Sequence, residues 1–373
     1  MVVTAGYADR RERVGWYFYD VANSAFMTSV VTVFLGPYLT QVAQRAAGCA
    51  GQACAAARLS VCGVPVAPNS LFAYVTSLSV LLTVVVLPVV GAMADRSSRR
   101  RWHLAGWAYA GAAATVAMLF VVGDRYLLGS ALFVVANVSF GASVVVYHSF
   151  LPQLVGPDGR DAVSSVGWAF GYGGGGALLA LSLVALWWLP ARGVPVGDVA
   201  RYCIAAAGVW WALFTVVPLR LLRDRPPVAG PAAGGLAADA FRQLGATVRS
   251  LRAYPLTLFF LVAFLVYNDG IQAVIAMASV YGVQELGLSQ SVLVPTILLV
   301  QFVALAGALL LGRWARRFGA WKTVLGSLVG WSALVVAAFF LPAGAVGPFV
   351  ALGAGIGFVL GGSQALSRSL FSQ

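Results

Sequence analysis

The sequence predicts an all-α polytopic membrane protein that crosses the bilayer about ten times. Apolar residues make up 60% of its 373 residues and charged residues only 10%, whereas soluble domains carry about 25% charged residues. The apolar residues form ten continuous runs, each of at least the roughly 20 residues that a helix needs to cross a bilayer. A membrane barrel would require alternating apolar and polar positions instead of continuous runs. The composition therefore excludes a soluble globular protein.

Each predicted span corresponds to one of these apolar runs. The first six spans are followed by a polar segment and then by four more. In chain order, the predicted spans are 17–40, 71–94, 103–122, 127–151, 162–189, 202–222, 256–283, 291–312, 323–341 and 346–366.

The basic residues predict the orientation of these spans. Of the 24 Lys and Arg residues, five fall in the predicted outer loops, namely Arg45, Arg58, Arg125, Arg192 and Arg201. Because cytoplasmic loops hold the excess of basic residues, we expect the N-terminus on the inner side of the cytoplasmic membrane. The net charge of +12 is scattered over short loops, so nucleic-acid binding is not predicted.

Three cysteines share the first predicted outer loop. Cys49, Cys54 and Cys62 allow one disulfide with one thiol left over, and three free thiols are an equal alternative. Cys203 begins the sixth span and is interpreted as a packing residue. His103 and His148 do not cluster with Cys, so neither a metal site nor a cofactor is predicted.

The polar segment after the sixth span divides the chain into a six-span half (1–222), a linker (223–255) and a four-span region (256–373). Within the linker, one helical face is apolar and basic residues lie elsewhere. This pattern predicts an amphipathic helix on the lipid surface of the inner leaflet, and a regulatory or partner-binding helix is the alternative. The apolar positions are Phe241, Leu244, Val248 and Leu251, and the basic ones are Arg242, Arg249 and Arg252.

Two carboxylates lie inside apolar spans, each with an amide three residues later on the same helical face. Asp20 precedes Asn23 in the first span, and Asp269, next to Asn268, precedes Gln272 in the seventh. A charge in the bilayer costs about 3 kcal/mol or more, so such residues usually face a cavity and have a function. The sequence therefore predicts a polar site for a small solute.

Asp269 is the stronger candidate, because it lies about 20 Å along the helix from Leu256. At that depth a carboxylate is a candidate proton carrier, with H⁺ as a coupling ion; a packing hydrogen bond to another helix is the alternative. Asp20 lies only about one turn inside the inner interface, where Trp16, Tyr17 and Tyr19 would form an aromatic belt. Its side chain could instead reach inner water by snorkelling.

Two further amides, Gln301 in the eighth span and Gln364 in the tenth, have no evident local partner. They are equally suited to binding a solute carboxylate and to bonding across helices. Arg368 is interpreted as marking the inner boundary of the tenth span.

A loop motif links this pattern to a known superfamily. Gly91, Asp95, Arg96, Arg99 and Arg100 form Gly-x-x-x-Asp-Arg-x-x-Arg-Arg between the second and third spans, and a related run begins at Gly312 after the eighth. The motif resembles the signature loop of the major facilitator superfamily, whose fold has two six-helix halves. The resemblance implies a cytoplasmic latch between the halves; simple enforcement of topology is the alternative, although it leaves unexplained why Asp95 stands at the unfavourable end of a helix dipole.

The segments around Asp20, Asp269 and Gln301, with the run from Gly361 to Phe371, resemble the vacuole-effluxer-like branch of that superfamily. The resemblance implies a non-enzymatic, alternating-access transporter of small polar solutes, most of all amino acids, working as an exporter. The family has twelve spans, so the last two helices are absent from this chain, and we expect it to be a fragment. A transporter-derived receptor or assembly component that binds a ligand without moving it is the alternative.

Overall fold

The computed structural model describes residues 9–49, 54, 56–61, 63–226, 236–288 and 290–372. The first span contains α1 (Arg10–Ala25), a π-helical segment (Phe26–Phe34) and α2 (Leu35–Ala46). The strands are β1 (Leu59–Val61) and β2 (Val64–Val66). The helices up to the linker are α3 (Leu71–Arg96), α4 (Arg100–Ala117), α5 (Tyr126–His148), α6 (Leu151–Leu154), α7 (Arg160–Trp188) and α8 (Val196–Leu221). The remaining helices are α9 (Leu236–Ser250), α10 (Pro255–Gln284), α11 (Gln290–Phe318), α12 (Ala320–Phe339) and α13 (Val346–Ser372).

The predicted spans are confirmed as helices. Among the described residues, ten helical segments are long and apolar enough to cross a membrane. Most exceed their predicted bounds, because helices continue through the interfacial residues that a hydropathy criterion leaves out. The first, for example, runs from Arg10 to Ala46, and its N-terminus is capped by Asp9, whose Oδ1 accepts the Glu12 backbone N–H at 2.9 Å.

The first span is not a uniform α-helix. Its nine central residues, Phe26–Phe34, form a π-helix, which is a rare conformation that often occurs at functional sites. Apolar composition alone cannot predict it, because α and π hydrogen-bond registers suit the same side chains.

The first predicted outer loop contains the strands, which the all-α prediction did not include. β1 and β2 pair antiparallel, with Leu59 opposite Val66, and Tyr126 Oη donates a hydrogen bond to the Ser60 carbonyl at 2.9 Å. Cys49 and Cys54 form a disulfide, which is one of the alternatives that the sequence left open. Cys62 lies outside the described residues. Cys203 is buried, as expected for a packing residue.

The contacts divide the chain into two compact units. The first unit comprises Met1–Asp20, Phe150–Gly176 and Phe241–Gln373, and the second comprises Val21–Ser149 and Ala177–Ala240. This grouping follows spatial contacts, whereas the division at 222 and 255 follows the sequence and stays a prediction.

Close contact between α11 and α13 forms the core of the first unit. Gly361 lies so near the Ala304 carbonyl that a Cβ there would overlap it, and a Cβ at Gly357 would come within 2.7 Å of the Val300 carbonyl. Small residues allow helix backbones to approach closely in membranes, where packing replaces the hydrophobic effect as the driving force. A buried cluster with Tyr172, Ile271 and Trp331 surrounds this contact.

In the second unit, a glycine likewise allows close contact between α4 and α8. A Cβ at Gly208 would come within 2.8 Å of the Ala112 carbonyl. The neighbouring Trp211 is fully buried, and its ring lies 5.5 Å from that of Phe26. These contacts fix the π-helical segment against α8.

Candidate functional site

Three polar residues on one face of α13 bond to other helices of the first unit. Gln364, Ser367 and Arg368 follow the i, i+3, i+4 spacing that aligns side chains on a helix. Gln364 Nε2 lies 3.3 Å from Asn268 Oδ1, and Ser367 Oγ lies 2.6 Å from Tyr267 Oη. The polar face of α13 thus contacts α10 at two consecutive positions.

Arg368 is the most highly coordinated residue of this face. Its Nε donates to Ser164 Oγ at 2.8 Å, its Nη2 donates to the Ser164 carbonyl at 2.8 Å, and its Nη1 donates to Asp20 Oδ2 at 3.4 Å. The guanidinium carbon lies 4.7 Å from the Trp16 ring centre and 5.3 Å from that of Trp168. Ring faces attract a cation electrostatically, so two indoles and one carboxylate stabilise this charge.

Asp20 is therefore buried and paired, which contradicts the alternative that its side chain reaches inner water. The exposed fractions of the Asp20 and Arg368 side chains are 11% and 7%, and Trp16 and Tyr19 are fully buried. Arg368, which was interpreted only as marking the inner boundary, has specific partners inside the protein. Long-range packing brings residues of the first, fifth and tenth spans together, which local sequence does not reveal.

Gly167 on α7 provides the space for this cluster. A Cβ there would lie 2.7 Å from Asp20 Oδ2, 2.7 Å from Trp16 Cζ3 and 3.0 Å from Arg368 Nη2. Glycine is the residue that permits such an approach between backbone and side chains. Gly167 and Ser164 were not predicted as site residues, and Arg368 was predicted only as a boundary residue. The available signal was the charge of Arg368, which lies two residues beyond the predicted end of the tenth span and within α13.

Asp269 lies on the other side of α10 from the protein core. It is about 200° around the helix from the buried Ile271, at 100° per residue, and both Asp269 and Gln272 are exposed. Among the described residues, none bonds to Asp269. The exposed position of Asp269 gives no support to the alternative of a packing hydrogen bond to another helix, and its role in solute or proton binding stays a prediction that rests on its depth in the span.

The remaining predicted site residues are not brought together with Asp269. Gln301 on α11 is half-buried beside α7, where a Cβ at Gly176 would contact it at 3.4 Å. Asn23 on α1 is buried and belongs to the second unit. The predicted set thus divides into a bonded polar face on α13, an exposed pair on α10 and two separate amides.

The predicted gate motif forms ion pairs within the second unit. We refer to residues 95–101 as the arginine loop. Arg100 is buried, donates from Nε to the Ala94 carbonyl at 2.8 Å and lies 4.0 Å from Asp95. Arg96 lies 4.0 Å from Asp239, whereas the Arg99 side chain is exposed. At the base of this motif, Gly91 packs against Val145 on α5.

The second unit also contains a cavity of about 220 Å³ that the sequence analysis did not predict. Its lining includes Tyr38, Arg45 and Asp198, and Asp198 pairs with Arg201 at 2.9 Å. The lining comes from the end of α2, the start of α8 and the loop before α5, so only the folded chain assembles it.

Comparison with solved structures defines the class of protein. The proton:xylose symporter XylE bound to 6-bromo-6-deoxy-D-glucose aligns with a TM-score of 0.63 at 14% identity, over 97% of this chain and 85% of that one. A bacterial homologue of the iron transporter ferroportin in its outward-facing state aligns with a TM-score of 0.62 at 13% identity, over 97% and 84%. The fold is that of the major facilitator superfamily, and ten of the helical segments among the described residues are long and apolar enough to cross a membrane.

Sequence comparison narrows the class. The family described as "Vacuole effluxer Atg22 like" matches residues 8–373, and the chain belongs to this family. It is 26% identical to the uncharacterized MFS-type transporter YxiO of Bacillus subtilis strain 168, over 97% of this chain and 81% of that one. It is also 26% identical to autophagy-related protein 22 of Coccidioides immitis strain RS, over 75% of this chain and 60% of the relative. The family is described as effluxer-like and the Bacillus subtilis relative as a transporter, in agreement with the prediction that the chain is not an enzyme.

Proposed function

We propose that the protein is an alternating-access exporter of small polar solutes in the cytoplasmic membrane, and that these solutes are amino acids. Its N-terminus lies in the cytoplasm, and residues 1–222 and 256–373 act as the two moving halves. Solute binding shifts the population between inward-open and outward-open states through its different affinity for each. Membership of an effluxer family supports the direction of transport.

The observation that carries this proposal is the exposed polar pair Asp269 and Gln272 in the middle of an apolar helix. On the same face, Phe259, Val262 and Val266 are more than half exposed. Apolar side chains there are compatible with lipid, but a carboxylate at bilayer depth is not. A water-filled solute pathway beside Asp269 satisfies this requirement.

The exposed polar pair on α10 fits a zwitterionic solute. Asp269 can accept hydrogen bonds from an ammonium group, and the amide of Gln272, three residues later on the same face, can donate to a carboxylate. The amides of Asn268 and Gln364 already bond to each other at 3.3 Å and can each serve either end of an amino acid. Protonation of Asp269 is the proposed route for H⁺ coupling.

The linker helix is proposed to contact membrane lipid. On α9, Phe241 and Leu244 are exposed on one face, and Arg242 and Arg249 are exposed as well. An apolar face flanked by Arg residues binds a bilayer surface that contains anionic lipids.

Counterflow in vesicles tests the proposal. Purified protein is reconstituted with an internal load of unlabelled amino acids, and the uptake of a radiolabelled amino-acid mixture is followed at several pH values. We expect saturable counterflow from the native chain and a loss of at least about tenfold for Asp269→Asn, because a neutral amide has no negative charge to attract an ammonium group and does not take up a proton.

The matched control is Asp158→Asn, since Asp158 is an exposed loop carboxylate and its loss should leave counterflow unchanged. Binding without exchange would contradict the transporter function and favour a receptor. Unchanged pH dependence in Asp269→Asn would exclude proton coupling through this residue.

A further inference from the structure

The linker between the sixth and seventh spans has only two carboxylates in residues 223–255, Asp224 and Asp239. Both pair with the arginine loop: Asp224 with Arg101 at 2.9 Å and Asp239 with Arg96 at 4.0 Å. The same segment contains five arginines, so its net charge is positive. A general excess of negative charge therefore does not explain why both carboxylates pair with the same loop.

Asp224 completes the N-terminus of α4. Its Oδ1 accepts the Arg101 backbone N–H at 3.0 Å, while its Oδ2 accepts Arg101 Nε at 2.9 Å. The local N-cap residue, Arg99, makes no side-chain capping bond. A carboxylate at this end of a helix both satisfies an N–H group and favours the dipole. A linker residue thus provides the cap that the local sequence does not.

Asp239 makes the second attachment, and its side chain is buried. It is 3% exposed on its side chain, and the side chain of Arg96 is 16% exposed. Charges that are this far removed from water are stable only when paired. The arginine loop is thus paired with one carboxylate just after α8 and with another near the start of α9.

We propose that Asp224, just after α8, and Asp239, near the start of α9, form an ionic strap on the arginine loop, with the two carboxylates as its positioning residues. The arginine loop then changes its place only together with the linker. The role of the strap in transport rests on the proposed function. The strap is then part of the inner gate, and its attachment stabilises one of the two access states.

Proteolysis of the complete protein in inside-out vesicles tests the strap without any solute. Chymotrypsin cleaves after aromatic residues and Leu, and Phe241 and Leu244 are exposed on α9. Asp239→Asn should accelerate cleavage within 236–254 by about tenfold, because cleavage rate follows the population of the detached linker. Asp224→Asn should act in the same direction, and the fragments are identified by mass.

The charge-exchange variant Arg96→Asp with Asp239→Arg decides whether the ion pair itself is responsible. The strap predicts that this variant returns the cleavage rate towards that of the native chain, whereas Arg96→Asp alone does not. Asp158→Asn is the matched control and should cleave at the native rate. Far-ultraviolet circular dichroism confirms that each variant retains its helices.

Native cleavage rates in both Asp224→Asn and Asp239→Asn would overturn the strap. So would the failure of the exchange variant to restore protection. Counterflow is measured in parallel: exchange by the native chain with an unchanged rate in Asp239→Asn would overturn the gating role alone. An absence of counterflow in every chain would contradict the proposed function and leave the proteolysis to judge the strap.

Discussion

At the scale of single residues, Arg368 shows how a membrane protein accommodates a charge away from water. One serine provides two acceptors, one aspartate provides the opposite charge, and two indole rings flank the guanidinium. Each partner replaces part of the hydration that the cation loses. The cluster joins α1, α7 and α13, so its energy depends on the correct packing of three helices.

The Asp20–Arg368 pair gives a prediction at this scale. Asp20→Asn or Arg368→Gln alone should destabilise the protein by about 3 kcal/mol, because a buried charge is left without its partner. The double variant should lose less than the sum of the two. Thermal unfolding of the detergent-solubilised protein measures both effects.

Asp198→Asn is the comparison, since that carboxylate is 40% exposed in its pair with Arg201. It should cost less than about 1 kcal/mol. Strictly additive losses in the double variant would show that Asp20 and Arg368 do not stabilise each other.

At the scale of elements, glycine determines which helices touch. Along α13, Gly357 and Gly361 face the backbone of α11, while Gly362 lies against Leu311. Such contacts bring peptide groups of neighbouring helices within van der Waals distance, which larger side chains prevent. The bonded polar face of α13 depends on this packing, because Gln364 and Arg368 lie on the same helix within two turns of Gly361.

Gly361→Ala tests this packing. The added Cβ would overlap the Ala304 carbonyl, and it would lie 2.8 Å from the Ala308 nitrogen. Backbone cannot rotate away as a side chain can, so we expect destabilisation of about 1–3 kcal/mol or more. The measurement is the midpoint of thermal unfolding, which should be lower than that of the native chain.

Gly326→Ala on α12 is the control for helix propensity. Nothing lies within 4 Å of a Cβ at this position, and replacing Gly by Ala in a helix interior adds about 0.5–1 kcal/mol of stability. Equal midpoints for the two variants would contradict the proposed role of Gly361.

At the scale of the whole molecule, ten apolar helical segments and an uneven distribution of Lys and Arg define a multi-pass membrane protein. The energy of crossing the bilayer is set by apolar composition, and the direction of crossing by the basic residues near each end. The orientation is therefore a prediction from charge, and it is independent of the packing between helices.

Thiol labelling in intact cells tests the orientation. Ser98→Cys lies in the arginine loop and Asp124→Cys in the loop before α5, and both native residues are exposed. With the N-terminus inside, a membrane-impermeant maleimide should label only Asp124→Cys above the background of the native chain. Labelling of Ser98→Cys alone would reverse the proposed topology.

The sequence by itself determined the fold class, the number and approximate limits of the spans, and the presence of polar groups among them. These properties follow from composition and local order, because the bilayer selects continuous apolar helices one at a time. The resemblance of the segments around Asp20 and Asp269 also predicted the family. The role of each polar residue was harder to derive: the sequence left a solute site and an interfacial position open for Asp20, and the structure pairs this residue with Arg368.

Only the tertiary structure decided the partners. Asp20 with Arg368, Arg101 with Asp224 and Arg96 with Asp239 are each separated by more than one hundred residues in sequence. Such pairs depend on which helix faces turn towards each other, and in membranes that choice is made by shape and glycine contacts, not by hydrophobicity. A residue's type therefore indicates that a charge needs a partner, and the packing of the helices determines which partner it has.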